Sequence, residues 1–310
     1  MKNLRVEYYA HHVVNHKPQD VPACLFRYWG AIGDFYYWLT FAAPLLRKKS
    51  AYKRVLAADG YARYGPNNPL LELLHENGLV DELWLHPRST GGVQAMPQEM
   101  LECLQDPKQG WEIYDPGIYA VQFRDKGAIA YPLDWMREEA RREEKYLIPA
   151  VSRESVCALA PELSAGYMTV QLYSSGKKRN SQIPMEHAQA LSSLPIQKVV
   201  LEFPNDIRMP EIRNSYKLRD WTFVKVSNAV HALRILAHAA CHVGVESSQL
   251  LGAGIQDVRC FYWPFNPGLT IFERDLNLTS LWSRMDWDEH PSSLAHKVEA
   301  YLWHTRMSTV

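Results

Sequence analysis

Short continuous apolar runs alternate along this chain with longer segments whose apolar residues recur at helical spacing, a pattern that predicts strands followed by helices. The first run, Ala23-Cys24-Leu25-Phe26, leads into Gly30-Ala31-Ile32-Gly33-Asp34 and an aromatic segment closed by Arg47-Lys48-Lys49, which reads as strand, glycine turn and helix. Arg54 to Ala58 reads as a second strand, Asn68 to Asn77 as a helix ended by Gly78, and Val80 to Leu85 as a third strand. Residues 89–117 are rich in Pro, Gly and Gln and read as loops around a short helix at Pro97 to Gln105. Leu133 to Tyr146 mixes charges of both signs at helical spacing and reads as a solvated helix.

A second alternating set begins near Gly166. Tyr167 to Leu172 reads as a strand, Ser174 to Asn180 as a polar, basic loop, Pro184 to Leu194 as a helix, and Lys198 to Phe203 as a strand ending in a Pro-Asn turn. Asn228 to His238 is a predicted helix, Cys241 to Val245 a strand, and Ser247 to Gly254 a glycine-ended helix. Val258 to Trp263 is expected to close the sheet, and Ser292 to His304 forms a last helix that either half can claim. Alternation of this kind implies parallel sheets with helices on their faces. The expected division is into two domains, residues 1–155 and 156–310, the second with its last helix packing on itself or back on the first.

Composition narrows the class. Apolar residues at 47% and charged residues at 22% suit a packed globular protein and exclude a disordered one. Lys+Arg and Asp+Glu both number 34, so bulk charge does not hold the chain to a polyanion. Cys24, Cys103, Cys157, Cys241 and Cys260 are widely spaced and contain no C-x-x-C pair, which predicts reduced thiols and a cytoplasmic location. The longest uncharged apolar run, Phe35 to Leu46, is far short of the roughly 20 residues of a bilayer span.

Two glycines beside one acid make the corner at residues 30–34 the first candidate site. Gly30 and Gly33 let backbone N–H groups approach a ligand, and a helix start behind the turn attracts anionic or polar groups. Asp34 is placed either to act as a general base or to cap the helix beginning at Phe35. The histidines His11, His12 and His16, and the set His238, Cys241, His242 and Glu246, have spacings that could suggest a metal, but no C-x-x-C or H-E-x-x-H pattern supports either, and the break from helix to strand spreads the second set over different faces, so no metal is expected. Phe35-Tyr36-Tyr37-Trp38 reads as packing between sheet and helix, with stacking on an acceptor ring as the alternative.

Three segments in order resemble the heptosyltransferase-type glycosyltransferases, the family 9 enzymes of the ADP-heptose:lipopolysaccharide type. Gly30-Ala31-Ile32-Gly33-Asp34 followed by Pro44-Leu45-Leu46-Arg47 is similar to their opening GxxGD…PLLR segment. Val170-Gln171-Leu172 through a basic loop to Ile183-Pro184-Met185-Glu186 resembles the entry to their second domain. His242-Val243-Gly244-Val245-Glu246-Ser247-Ser248, with Gly252-Ala253-Gly254 and Phe261-Tyr262-Trp263-Pro264, looks like their nucleotide-sugar segment. Here Glu246 replaces the family's Asp, Ser248 its glycine, Leu251 its histidine and Ile183 its tryptophan.

The resemblance implies an α/β protein of two Rossmann-like domains facing across a cleft, the GT-B fold. It also implies transfer from a nucleotide-diphosphate sugar to an acceptor hydroxyl, inverting, and needing no metal or other cofactor. Asp34 becomes the expected base. Lys177, Lys178 and Arg179, with Ser174, are expected to hold the leaving diphosphate, Glu246 the ribose, and Ser247 and Ser248 a phosphate at a helix start. The expected acceptor is a lipopolysaccharide-type glycan. A second choice is a hydroxylated base in DNA, because Arg47, Lys48, Lys49, Lys53 and Arg54 cluster without an intervening acid. The alternative of a different class is a non-catalytic nucleotide-sugar-binding or assembly protein on the same fold, and an epimerase or dehydrogenase is disfavoured by the lack of G-x-G-x-x-G after the first strand.

Overall fold

In a computed structural model the chain divides into two units, Met1–Tyr146 and Leu147–Val310. The structure describes residues 7–8, 22–29, 32–59, 74–75, 77–86, 111–114, 156, 158–164, 166–174, 182–204, 206–264 and 281–307. The helices expected within 97–105 and 133–146 lie outside the described residues, as do His11, His12 and His16.

The first unit holds β1 (Glu7–Tyr8), β2 (Ala23–Trp29), α1 (Ile32–Lys48), β3 (Lys53–Asp59), β4 (Glu82–His86) and β5 (Trp111–Tyr114). Its sheet runs β1-β4-β3-β2-β5 with every pairing parallel. Ala23, Cys24, Leu25 and Phe26 are all fully buried, so β2 is covered on both faces and its sequence is a run instead of an alternation. On α1 the buried positions Tyr36, Leu39, Ala42, Ala43 and Leu46 form one stripe, while Arg47 and Lys48 face solvent in the last turn, where cations suit the helix C-terminus.

Strand β5 corrects the reading of residues 89–117 as loops around a helix. It pairs with β2 from Ala23↔Trp111 to Phe26↔Tyr114, and Tyr114 stacks on Phe26 with ring centroids 4.6 Å apart. A four-residue strand has too little periodicity of its own to be recognised; its register comes from a distant partner.

The second unit follows the order β6 (Tyr167–Gln171), α2 (Met185–Ser192), β7 (Gln197–Glu202), α3 (Met209–Tyr216), β8 (Thr222–Lys225) and α4 (Ala229–Ala237). It continues with β9 (His242–Val245), α5 (Ser248–Ile255), β10 (Cys260–Trp263), β11 (Trp282–Arg284) and α6 (Pro291–Met307). The sheet runs β11-β10-β9-β6-β7-β8, all parallel. Sequence patterning did not anticipate α3, β8 or β11, and β11 rather than β10 ends the sheet.

Alternate strand residues serve opposite faces. Met168, Val170, Val243, Val245, Phe261 and Trp263 join a core with Ala188 and Leu191 of α2 and Leu294 and Val298 of α6. Tyr167 belongs to the other face, where its hydroxyl donates to the Ile235 carbonyl of α4 at 2.7 Å. Helix α6 thus packs within the second unit, on α2. Buried Lys198 closes the end of α2, donating to the Ser192 carbonyl at 3.0 Å and to that of Leu194, a cation at a helix C-terminus.

The winding locates the ligand edge. From β6 the chain steps outward to β7 and β8, then returns to the other side of β6 for β9, β10 and β11. This is the doubly wound order of dinucleotide-binding domains, and the crevice for a ligand opens where the order reverses, at the carboxyl ends of β6 and β9. In the first unit the order reverses between β2 and β5, and the carboxyl end of β2 leads into the glycine corner.

Candidate functional site

At the reversal point of the second unit, Gln171 ends β6, and Glu246 and Ser247 follow β9 directly. Ser247 is the N-cap of α5: its hydroxyl oxygen accepts from the Leu250 N–H at 3.3 Å and its proton goes to Gln171 Oε1. That bond joins the carboxyl end of β6 to the start of α5 and turns the Gln171 amide so that its NH2 group points away from Ser247. The N–H groups of Ser248 and Gln249 belong to the first turn and have no carbonyl within the helix to bond, which makes the helix start a place suited to anionic or polar groups. Gln249 is itself buried, and its Oε1 has no partner among the described residues.

Gly244 permits this closeness. A Cβ there would stand 3.0 Å from His242 Nε2 and 3.1 Å from the Gln171 Cβ, so even alanine fits only if His242 and Gln171 give way slightly. Beneath it, the fully buried His242 holds Nδ1 against the Thr169 hydroxyl at 3.0 Å. Burial pushes the imidazole down to about 3, and it is neutral at physiological pH.

On the neighbouring strand end, a second polar group closes the neck of the basic loop. Tyr173 and Gln182 form an antiparallel bridge, and the Ile183 N–H donates to the Leu172 carbonyl at 2.8 Å. The Arg208 guanidinium lies over the Tyr173 ring at 4.3 Å, donating to the Ser174 carbonyl at 3.3 Å and to Gln182 Oε1 at 3.2 Å. Tyr173 in turn donates to Asp206 Oδ1, which also accepts from the backbone N–H groups of Arg208 at 3.1 Å and Met209 at 3.3 Å. Burial, then the Asp206 carboxylate, pushes the Tyr173 phenol up, so it stays a donor.

The structure brings Glu246, Ser247 and Ser248 together at one strand end, with Ser174 after the neighbouring strand; Ser174 is buried. Lys177, Lys178 and Arg179 lie outside the described residues, as does Gly30. Gly33 and Asp34 fall in the first turn of α1, which begins at Ile32 and not at Phe35, so Asp34 is inside the helix instead of capping it. The Asp34 side chain lies outside the described residues. Gln171, Tyr173, Asp206 and Arg208 were not singled out from sequence; a polar residue breaking the apolar run Met168 to Leu172 was the available sign for Gln171.

The proposed DNA-tracking patch needs correcting. Lys49 Nζ pairs with Glu112 at 2.5 Å, Lys53 with Glu82 at 2.7 Å and Arg54 with Asp81 at 3.0 Å. Carboxylates from β4, β5 and the turn before β4 neutralise these cations, and acids distant in sequence were invisible in a local charge count. The Lys49 and Arg54 sites also hold the Glu112 and Asp81 carboxyls below their usual range, although burial opposes this. Among the described residues no group of three or more His, Cys, Asp or Glu is arranged to hold a metal, and no helix is long and apolar enough to cross a membrane.

Solved structures place this fold in a known class. The chain matches ADP-heptose lipopolysaccharide heptosyltransferase II of E. coli with a TM-score of 0.60 at 13% identity, covering 92% of this chain and 99% of that one. It matches a family 9 glycosyl transferase of Veillonella parvula with a TM-score of 0.53 at 10% identity, over 91% and 92% of the two chains. A UDP-N-acetylglucosamine 2-epimerase matches with a TM-score of 0.51 at 10% identity, over 92% and 88%. The fold is therefore the α/β GT-B type of the heptosyltransferases and their family 9 relatives, which agrees with the resemblance seen in the sequence. No protein-family model matches the chain, and no curated protein does. At such identities the likeness is one of fold.

Proposed function

We propose that this chain is a glycosyltransferase that moves a sugar from a nucleotide-diphosphate sugar to the hydroxyl of a saccharide acceptor. The observation that carries this reading is the meeting of Gln171, Glu246, Ser247 and the start of α5 where the strand order reverses, in a chain with the heptosyltransferase fold. Glu246 accepts from the ribose hydroxyls, while the N–H groups of Ser248 and Gln249 and the Ser174 hydroxyl hold the diphosphate together with Lys177, Lys178 and Arg179. Gly30 and Gly33 admit the acceptor to the first unit's corner, and Asp34 takes its proton. As the acceptor oxygen bonds to the anomeric carbon from the face opposite the donor, the bond to the diphosphate breaks and its electron pair leaves with the nucleotide, inverting that carbon. Positive groups and helix dipole, without a metal or other cofactor, carry the developing charge. Buried free thiols at Cys24, Cys241 and Cys260 support a cytoplasmic location.

A second reading, epimerisation of a nucleotide sugar, is favoured by the likeness to the 2-epimerase. A thermal-shift screen with ADP, UDP and GDP and their sugar conjugates tests the donor site, because a ligand of the native state raises its apparent stability. Conversion of a sugar nucleotide with no acceptor present then marks the epimerase, and binding without any turnover marks a non-catalytic binding protein. For the transferase, Asp34→Asn is expected to lower turnover by about a hundredfold or more while donor affinity stays near wild type. Unchanged turnover removes Asp34 as the base.

A further inference from the structure

We propose that Arg208 is a positioning residue of the donor site, a fork that fixes the neck between Ser174 and Gln182 and so directs the Ser174 hydroxyl. The proposal rests on the nucleotide-sugar reading and adds to it a residue that no sequence motif marks.

Arg208 reaches both ends of the neck at once: one terminal nitrogen donates to the carbonyl of Ser174, the other to the side chain of Gln182. Its plane is set from below by the Tyr173 ring, and its backbone from behind by the Asp206 carboxylate, which the Tyr173 hydroxyl also engages. Gln182 passes the restraint on, donating to the Tyr216 hydroxyl at 2.6 Å, which donates to the Ile183 carbonyl at 2.6 Å. Both sides of the neck are thereby tied to α3.

Hydrophobic burial does not explain this turn. Ile207, the residue before Arg208, is 88% exposed, while the polar groups around it are partly buried and bonded. The conformation that keeps an isoleucine in water is held by the fork and its carboxylate. What the fork orients is Ser174, which is 6% exposed and whose Oγ has no partner among the described residues. A buried hydroxyl with no partner among the described residues, next to a carbonyl held in place, at the carboxyl end of a central strand, is preorganised for a polar ligand group.

Calorimetric titration with ADP, and with UDP and GDP as further probes, tests the fork on wild type, Arg208→Ala, Arg208→Lys and Tyr173→Phe. Arg208→Ala is expected to weaken nucleotide binding about tenfold, and Arg208→Lys to leave it weak, because an ammonium cannot bond two acceptors in the planar fork geometry. Tyr173→Phe keeps the ring under the guanidinium and is expected to cost about threefold. Hydrogen exchange at the Ile183 amide should quicken in Arg208→Ala while exchange in β9 stays slow. Wild-type affinity in Arg208→Ala overturns the proposal, and so does full rescue by Lys, which would mean that charge alone matters. If wild type binds no nucleoside diphosphate, the donor reading falls; unchanged exchange at Ile183 separately removes the fork.

Discussion

Two polar clusters stand at opposite ends of their strands, and only one has the makings of a ligand site. In the first unit, Lys49, Lys53 and Arg54 meet Glu112, Glu82 and Asp81 at the amino ends of β2 to β5, each cation answered by an acid. In the second unit, Gln171, Ser174, Ser247 and Gln249 gather at the carboxyl ends of β6 and β9 or just beyond, with buried oxygens of Ser174 and Gln249 left without partners among the described residues. The first cluster is richer in charge and chemically finished. The second is built of neutral polar side chains beside Glu246 and is poised to accept something. Strand direction, more than charge density, separates function from support, because helix N-termini and open backbone groups collect at the carboxyl edge of a parallel sheet.

The sharpest way to break this contrast is through His242, which lies under the second cluster. Its folded pKa of about 3 is below the ordinary 6.5, so the unfolded chain takes the proton first. The stability that His242 contributes is full above about pH 6.5 and is lost as pH falls toward 3, by an amount on the order of 5 kcal/mol. Urea unfolding of wild type and His242→Gln across that range should show their difference shrinking on the acid side; a constant difference means that folding leaves the His242 pKa at its ordinary value.

Gly244→Ala comes next. Its Cβ crowds His242 and Gln171, and a loss of about 1–3 kcal/mol in denaturant unfolding is expected together with weaker nucleotide binding. Unchanged stability would show that Gln171 is free to move. Ser247→Ala removes the cap of α5 and the bond to Gln171; about 1 kcal/mol of stability should go, and ADP titration should register a larger proportional loss. Smallest is Arg54→Ala, which opens a half-exposed ion pair and should cost about 0.2–1 kcal/mol, with nucleotide binding untouched. A loss of nucleotide affinity in this variant, or salt-dependent binding of wild type to duplex DNA, would erase the distinction between the two clusters.

How far the chain could be read from its letters differs between these regions. The run Ala23 to Phe26 and the helix behind it were legible because both faces of β2 and one stripe of α1 are apolar, and the same holds for β6, β7, β9 and α4. Glu246, Ser247 and Ser248 were legible because a strand, an acid and a capping serine follow one another directly. Arg208 was not: it meets Ser174 and Gln182 only because α3 packs beside the neck, and its neighbours Asp206 and Ile207 look like any polar turn. The same limit hid β5, β8 and β11, which are too short for periodicity to speak and take their place from parallel partners.

Sequence alone determined the alternation of strand and helix and the placing of an acid, serines and a helix start after β9. Those properties are local, set by the spacing of apolar side chains and by capping chemistry. Only the tertiary structure decided the strand order, and with it which strand ends adjoin, which cations find acids, and which buried hydroxyl is left without a partner among the described residues. Pairing of strands far apart in the chain is a property of the whole sheet, fixed by what each strand buries against the others.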